Sequence, residues 1–503
     1  MTTLATKRAQ WGSNIGFLLA AVGSAVGLGN IWRFPYIAYK NGGSAFLIPY
    51  LTALVTAGIP IMLLEFALGH QKKAAAPKAF NRIHPRWEWL GWWSVFFIMF
   101  GIMAYYTVVI GWCCNYLVFS FTRAWGSDPN TFFFETFLQK STGVWDIQGI
   151  NPNILAGVAV AWSVNWFITF QDINKGIERT VKIMMPVLFC LTAVIIVWSL
   201  FLEGADKGLE AYLAIDFSRI GDLDVWVAAY GQIFFTLSLG FGIMIAYASY
   251  LPENVNLMRS SVIVGCTNSL YEMVAGIGVF ALLGYMACRQ DIPVCEAVTS
   301  GLGLAFVAYP KAMSMLPFGN LFGVLFFFLL ILAGVTSSIS IIEAFTSALM
   351  DKFDISRKTI VSWVCAAGFC LSMMFTTHAG LFWIDIVDHF INHYGLLTVG
   401  LIEAVVVGWF YGTDMLKIHI HNQGDKSDGR MLAFRWKIVN AWGVCIRYIT
   451  PLALGIAIIN SLITEFSKPY EGYPVSGILI LGVGCLVLTH IAAVAVARMR
   501  WKK

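Results

Sequence analysis

Apolar residues come along this chain in blocks of about 20, the length that crosses roughly 30 Å of hydrocarbon as a helix. The blocks lie near 15–37, 44–69, 91–121, 153–170, 180–202, 225–250, 258–287, 320–349, 359–376, 383–411, 439–463 and 475–497. They predict an all-α polytopic membrane protein with about twelve transmembrane helices. Two blocks are interrupted at mid-length. The first, SNIGFLLAAVGSAVGLGNIWRFPY, holds GSAVGLGN at its centre, with the polar Asn30 and Arg33 beside it. The second carries SLGFG at 238–242. A third block, FFFLLILAGVTSSISIIEAF, is uninterrupted but sets three hydroxyls in a row, Thr336, Ser337 and Ser338.

A helix broken at mid-membrane frees backbone groups that cost several kcal/mol each when bare. Such a break persists where the freed groups bind something. Freed carbonyls suit a small cation, and freed N–H groups at a half-helix N-terminus suit a carboxylate. Breaks in matching halves therefore point to a zwitterion that travels with a metal cation. Two plainer readings stand beside this one. Gly23 and Gly27 fit close helix packing, and the hydroxyls of Thr336 to Ser338 fit back-bonding to the preceding turn.

Composition narrows the class. Charged residues make up 12% and hydrophobic ones 58%, which excludes an ordinary soluble domain. The net charge of +5 reads as orientation. Basic residues cluster at 7–8, 72–86, 352–358, 417–437 and 498–503, all on one side if both termini are cytoplasmic. That puts a multi-pass protein in the inner (plasma) membrane and leaves no nucleic-acid footprint. The first block is too long for a cleavable signal peptide and lacks a cleavage site. Most of the ten cysteines sit inside apolar blocks. Cys288 and Cys295 flank a loop read as external, where they could pair. His419 and His421 read as surface histidines on a polar cytoplasmic segment. No CxxC, HExxH or Walker motif is present, so no enzyme is expected.

The words GSAVGLGNIWRFPY, NGGSAFLIPY, GIPIMLLEFALG, GIERTVKIMMP, GQIFFTLSLGFGIMIAYASY, AGVTSSIS and RYITP run through nearly every block from the first to the eleventh. In them the chain closely resembles the neurotransmitter:sodium symporter family, in particular its bacterial LeuT-like amino-acid transporters. The resemblance implies the LeuT fold in one transporter domain over 1–503. Repeat one would cover about 10–202, an inverted repeat two about 223–412, and two peripheral helices about 439–497. The activity it implies is sodium-coupled symport of a neutral amino acid, with an apolar side chain, by alternating access.

Carried over by position, the resemblance implies two sodium sites. The first takes Ala25, Asn30, Thr236 and Asn268. The substrate carboxylate would complete it, so ion and substrate should bind in mutual dependence. The second takes backbone oxygens of Gly23, Val26 and Ala333 with the hydroxyls of Thr336 and Ser337. The substrate would lie among Ala25, Leu28, Gly29, Ile102, Tyr106, Phe235, Thr236, Ser238, Phe241, Ser337 and Ile341. Its carboxylate would meet the N–H groups of Leu28 and Gly29 and the Tyr106 hydroxyl. Its amino group would meet carbonyls near Phe235 and Ser238. Amine carriers of the family have Asp at the place of Gly27, so this ligand should bring its own acid group. Ser24 stands where many relatives have Asn. Chloride-dependent relatives have Ser at the place of Glu272. A fixed carboxylate there, near Tyr50, Gln232 and Thr236, should replace the anion, with no chloride required.

The same resemblance implies gates. Arg33 and Asp388 would close the external path above Tyr106 and Phe235. Arg8 and Asp351 would form a cytoplasmic latch, with Trp11 and Tyr250 packed around it. Gly176 and Pro186 would make a hinge. Each has a plainer reading: Tyr106 as packing, Glu272 as a structural hydrogen bond, Arg8 and Asp351 as snorkelling interface charges, Gly176 as a helix start before a kink. Asp388 with His389 or His393 could instead hold an external metal, and Glu343 has no assigned role. Partners are the small-molecule amino acid and the bilayer, with the ninth, eleventh and twelfth helices as candidate homodimer surface. Competing functions are a sodium-dependent amino-acid sensor of the same fold, a transporter of a non-standard amino acid, and an ion channel.

Overall fold

The computed structural model describes residues 8–298, 301–423 and 429–502. Among them the structure is helical, with isolated bridges Gly43 to Ile215 and Ile150 to Thr377 and no strands. The main elements are α1 Asn14–Ala25, α2 Gly29–Lys40, α3 Ser44–Lys72, α4 Pro85–Thr122, α5 Pro152–Thr169, α6 Asn174–Leu200, α7 Leu223–Thr236, α8 Ile243–Ser249, α9 Leu257–Gln290, α10 Gly319–Lys352, α11 Arg357–Thr376, α12 Gly380–Asn422, α13 Ala433–Gly472 and α14 Val475–Ala497. Among the described residues nine helices are long and apolar enough to cross a membrane alone. The pair α1–α2, bent by 53° at its junction, makes a tenth. The 18-residue α5 and the pair α7–α8 fill the other two expected blocks. α4 begins at Pro85 rather than near 91, because the His84 side chain caps its first turn and proline suits that position.

Local chemistry places both breaks. Ser13 caps α1, its hydroxyl accepting from the Gly16 N–H at 3.0 Å. Val26 then turns extended, and the helix restarts at Gly29. Between α7 and α8, Ser238, Gly240 and Gly242 have φ of 53°, 72° and 68°. Glycine adopts that region freely. Ser238 does so under constraint, a kind of strain that collects at functional sites. α8 packs so tightly on α3 that a Cβ on Gly69 would lie 2.1 Å from the Ile245 carbonyl oxygen. α10 lies against α4 and α6, with Thr336 and Ser337 facing the α1–α2 break and Ser338 turned away to donate to Asn165 Oδ1 of α5 at 2.6 Å.

One open question is answered here and one reading is corrected. Cys288 and Cys295 are both free thiols. Cys288 points at Gly204, where an added Cβ would lie 2.5 Å from its own, while Cys295 stays exposed in Val294–Ala297. His419 is not a free surface group: its Nε2 lies 2.9 Å from Nδ1 of the buried His70, because Thr413–Asn422 runs beside the end of α3. α6 is wound from Asn174 to Leu200, with Gly176 in its first turn and Pro186 inside it.

Candidate functional site

A cavity of ≈ 520 Å³ opens between the two breaks, α4, α10 and α12. Every residue named for the substrate lines it: Ala25, Leu28, Gly29, Ile102, Tyr106, Phe235, Thr236, Ser238, Phe241, Ser337 and Ile341. At its polar end the Leu28 N–H reaches the Tyr106 hydroxyl at 3.4 Å. The Ser24 carbonyl accepts from Ser238 Oγ at 3.0 Å and Ser337 Oγ at 3.3 Å. Ile102, Phe241 and Ile341 form an apolar wall. Gly27 leaves little room for a side chain, since a Cβ would lie 3.0 Å from Ser337 Oγ and 3.2 Å from the Tyr106 hydroxyl.

Of the four residues named for a first ion, Asn30, Thr236 and Asn268 meet one another, and Ala25 lines the same cavity. Asn30 Nδ2 donates to Asn268 Oδ1 at 2.9 Å and to Thr236 Oγ1 at 3.0 Å, and Asn268 Nδ2 donates to Thr236 Oγ1 at 2.9 Å. Asn30 Oδ1 accepts from the Gly27 N–H at 2.8 Å. Glu272 is buried against this set. Its Oε2 accepts from Thr236 at 2.9 Å, Gln232 at 3.2 Å and Asn30 at 3.3 Å, and its Oε1 accepts from the Tyr50 hydroxyl. Residues named for a second ion also meet. Ser337 Oγ lies 3.3 Å from the Gly23 carbonyl and 3.2 Å from that of Ala333, and Thr336 Oγ1 lies 3.0 Å from Ala333 O. Val26 ends α1 beside them, its N–H bonded to Val22 O at 2.7 Å. Both proposed ligand sets are neutral oxygens, the donors a hard cation takes.

The two charge pairs named as gates differ in this structure. Arg8 Nη1 meets Asp351 Oδ1 at 2.5 Å, and the guanidinium lies 4.9 Å over the Tyr250 ring. Trp11 Nε1 donates to Tyr247 O at 2.9 Å. Arg33 and Asp388 both line the cavity and form no ion pair with each other in this conformation. Arg33 lies 4.5 Å over the Phe235 ring instead, and Asp388 accepts from Tyr105 at 2.5 Å and Asn392 at 2.8 Å. The cavity therefore reaches from the breaks out to Tyr470 and Tyr473 and is shut on the Arg8 side. Among the described residues no three His, Cys, Asp or Glu are placed to hold a metal, so the alternative at Asp388, His389 and His393 lacks a ligand set.

Several working residues escaped the sequence reading. Glu65, buried in α3, accepts the Gly240 N–H of the second break at 2.7 Å. An intramembrane carboxylate in GIPIMLLEFALG was the available signal. Glu178 holds the start of α1, accepting from Gly12 N–H at 2.7 Å and Ser13 Oγ at 2.9 Å. Glu343 gains a role: it pairs with Arg357 at 2.6 Å and accepts from the Tyr250 hydroxyl at 2.8 Å, bracing the Arg8 side. Nothing local in sequence joins these partners.

Two broken helices meeting at a pocket half way along the bundle is the architecture of a secondary transporter. The family model described as "Sodium:neurotransmitter symporter family" matches residues 8–132 and 126–503. An uncharacterized sodium-dependent transporter of Methanocaldococcus jannaschii is 42% identical over 98% of both chains. A human sodium- and chloride-dependent taurine transporter is 30% identical, covering 86% of this chain and 76% of its own. A bovine sodium- and chloride-dependent GABA transporter 2 is 31% identical, covering 93% and 83%. The chain belongs to the sodium:neurotransmitter symporter family. It is thus an all-α, multi-pass membrane protein of the LeuT fold.

Proposed function

We propose that this chain is a sodium-coupled symporter that imports a neutral amino acid with an apolar side chain, by alternating access and without chloride. The observation that carries the reading is the cavity itself. Its polar end offers backbone N–H and hydroxyl groups beside a cluster of neutral oxygens, and its wall is aliphatic and aromatic. The substrate carboxylate would sit at the N-terminus of α2, on Leu28 and Gly29 and the Tyr106 hydroxyl, and would complete the first sodium set. The amino group would face the α7–α8 break near Phe235 and Ser238. Without a carboxylate on the ligand, Gly27 leaves the sodium set without its anionic member. Glu272 supplies fixed negative charge where the taurine and GABA relatives, by their names, depend on chloride.

The clustering of basic segments supports a cytoplasmic Arg8–Asp351 side, and on that reading this conformation faces outward. Import would follow when Arg33 and Asp388 approach over the loaded site and the Arg8–Asp351 latch parts. Gly176 and Pro186 would then let the start of α6 loosen toward the second sodium set. Each positive charge moved inward gains about 2.3 kcal/mol per 100 mV. The repeats at about 10–202 and 223–412 would move against each other around the site. The test is uptake of labelled amino acids, with taurine and GABA in the panel, into proteoliposomes with a sodium gradient and gluconate replacing chloride. Accumulation of an apolar amino acid that collapses in potassium is expected. Uptake of taurine or GABA alone, or an absolute need for chloride, would overturn the substrate or the anion claim respectively. Sodium-dependent binding without uptake would favour the sensor.

A further inference from the structure

Three consecutive carbonyls leave α8, and each receives a donor from a different side chain or strand of chain. The Trp11 N–H donates to Tyr250 O at 3.1 Å. Lys73 Nζ donates to Leu251 O at 2.5 Å. His70 Nε2 meets Pro252 O at 2.7 Å. A carbonyl only accepts, so His70 carries its proton on Nε2. Nδ1 of the neutral ring is then a lone pair, and it faces Nε2 of His419 at 2.9 Å. His419 must be the donor there. The tie thus runs from α8's exit through the end of α3 to Thr413–Asn422, three elements joined by one pair of rings 5.1 Å apart.

We propose that His70 and His419 form a proton-binding site that strengthens the hold on residues 250–252 when it is occupied. It rests on reading Arg8–Asp351 as the inner latch. One added proton changes the pair from N–H···N to a shared N–H⁺···N bond. His419 shifts its remaining proton to Nδ1, His70 donates from both nitrogens, and no bond to Pro252 is lost. The hydrogen bond becomes charge-assisted, about twice as strong as the neutral one. A second proton would set two N–H groups against each other and is excluded while the rings face. The charges around the pair are Lys72 and Lys73 at the end of α3 and Glu253 beyond Pro252. Lys73 donates to Leu251 O and Lys72 to the Tyr411 hydroxyl at 2.8 Å, both keeping their charge and opposing the added proton, while Glu253 is the counter-charge on the Pro252 side. Tyr250 is also the ring beneath Arg8, so tightening 250–252 holds the latch shut.

Two measurements on the full chain test this. ¹⁵N-histidine spectra should show His70 and His419 taking up a single shared proton together as pH falls. Two independent one-proton titrations would overturn the site. In proteoliposomes, lowering the pH on the latch side alone from about 8 to about 4 should slow substrate release about fivefold, the difference between a neutral and a charge-assisted hydrogen bond. His419→Gln keeps a donor toward His70 but takes no proton, so its rates at the two pH values should agree. An unchanged pH ratio in that variant would overturn the coupling. Asp351→Asn separates the two readings. If it leaves the latch side as closed as before, the latch assignment falls, while the proton count from the spectra stands by itself.

Discussion

Glu272 is held by four donors, from Tyr50, Gln232, Thr236 and Asn30, beside the residues proposed for the first ion. Replacing it by Ser removes the charge but keeps a small polar group. Glu272→Ser should make uptake depend on chloride, seen as at least a tenfold drop on replacing chloride by gluconate, about 1.4 kcal/mol. Uptake by that variant indifferent to chloride would count against the anion role. Gly27 is the second decisive residue. A carboxylate at that position would crowd Ser337 Oγ and the Tyr106 hydroxyl and would compete with the ligand's own acid group. Gly27→Asp should therefore lose uptake of amino acids by about 100-fold or more while sodium-dependent folding stability is retained. The pocket residues were legible at this scale because their chemistry is local and their order matches family words. Their long-range partners were not. Tyr105 beside Tyr106 was passed over, although with Asn392 it holds Asp388.

The two breaks differ in how their backbone is satisfied. The first leans on side chains of neighbouring helices, Tyr106 and Ser337, and on its own Asn30. The second leans on Glu65, whose carboxylate takes the Gly240 N–H inside the protein. Removing that acceptor leaves a buried N–H bare, at about 1–3 kcal/mol. Glu65→Ala should lower the thermal midpoint and weaken substrate binding, while Glu65→Gln, which keeps an oxygen acceptor, should recover most of both. Equal loss in the two variants would show that charge, not the hydrogen bond, is what matters there. Gly240 and Gly242, at φ 72° and 68°, should resist alanine for a separate reason, because a Cβ is strained in that region. The breaks as such were readable from glycine and serine in apolar blocks. The helix α6 was expected to hinge at Gly176 and Pro186, and it is wound throughout in this conformation. A proline inside a helix marks where a bond is missing, not when the helix opens.

Across the whole molecule, one ion pair is made and its counterpart is not. Arg8–Asp351 is closed at 2.5 Å and is braced by Tyr250, Glu343 and Arg357, while Arg33 and Asp388 each have other partners. Asp351→Asn should release the start of α1. Hydrogen–deuterium exchange should rise in residues 8–25 and 246–252, and little at the Arg33 side. Exchange unchanged in both segments would remove the latch from the mechanism. Saturating sodium and substrate should act at the other end, slowing exchange in α2 and around Asp388 as those charges approach.

Composition and block length alone determined that this chain lives in a membrane as a bundle of about twelve helices, because hydrocarbon forces every backbone group to be satisfied within a helix. Glycine and hydroxyl placement marked where two helices would open, and the ordered words brought the family and the pocket residues with them. Only the tertiary structure decided which carboxylates serve which break, that Cys288 faces Gly204 rather than Cys295, and that His419 finds His70. It alone also decided that Arg8 meets Asp351 while Arg33 and Asp388 stay apart. These are contacts between residues tens to hundreds of positions apart. Their geometry follows from how the helices pack, and no local pattern of residues encodes it.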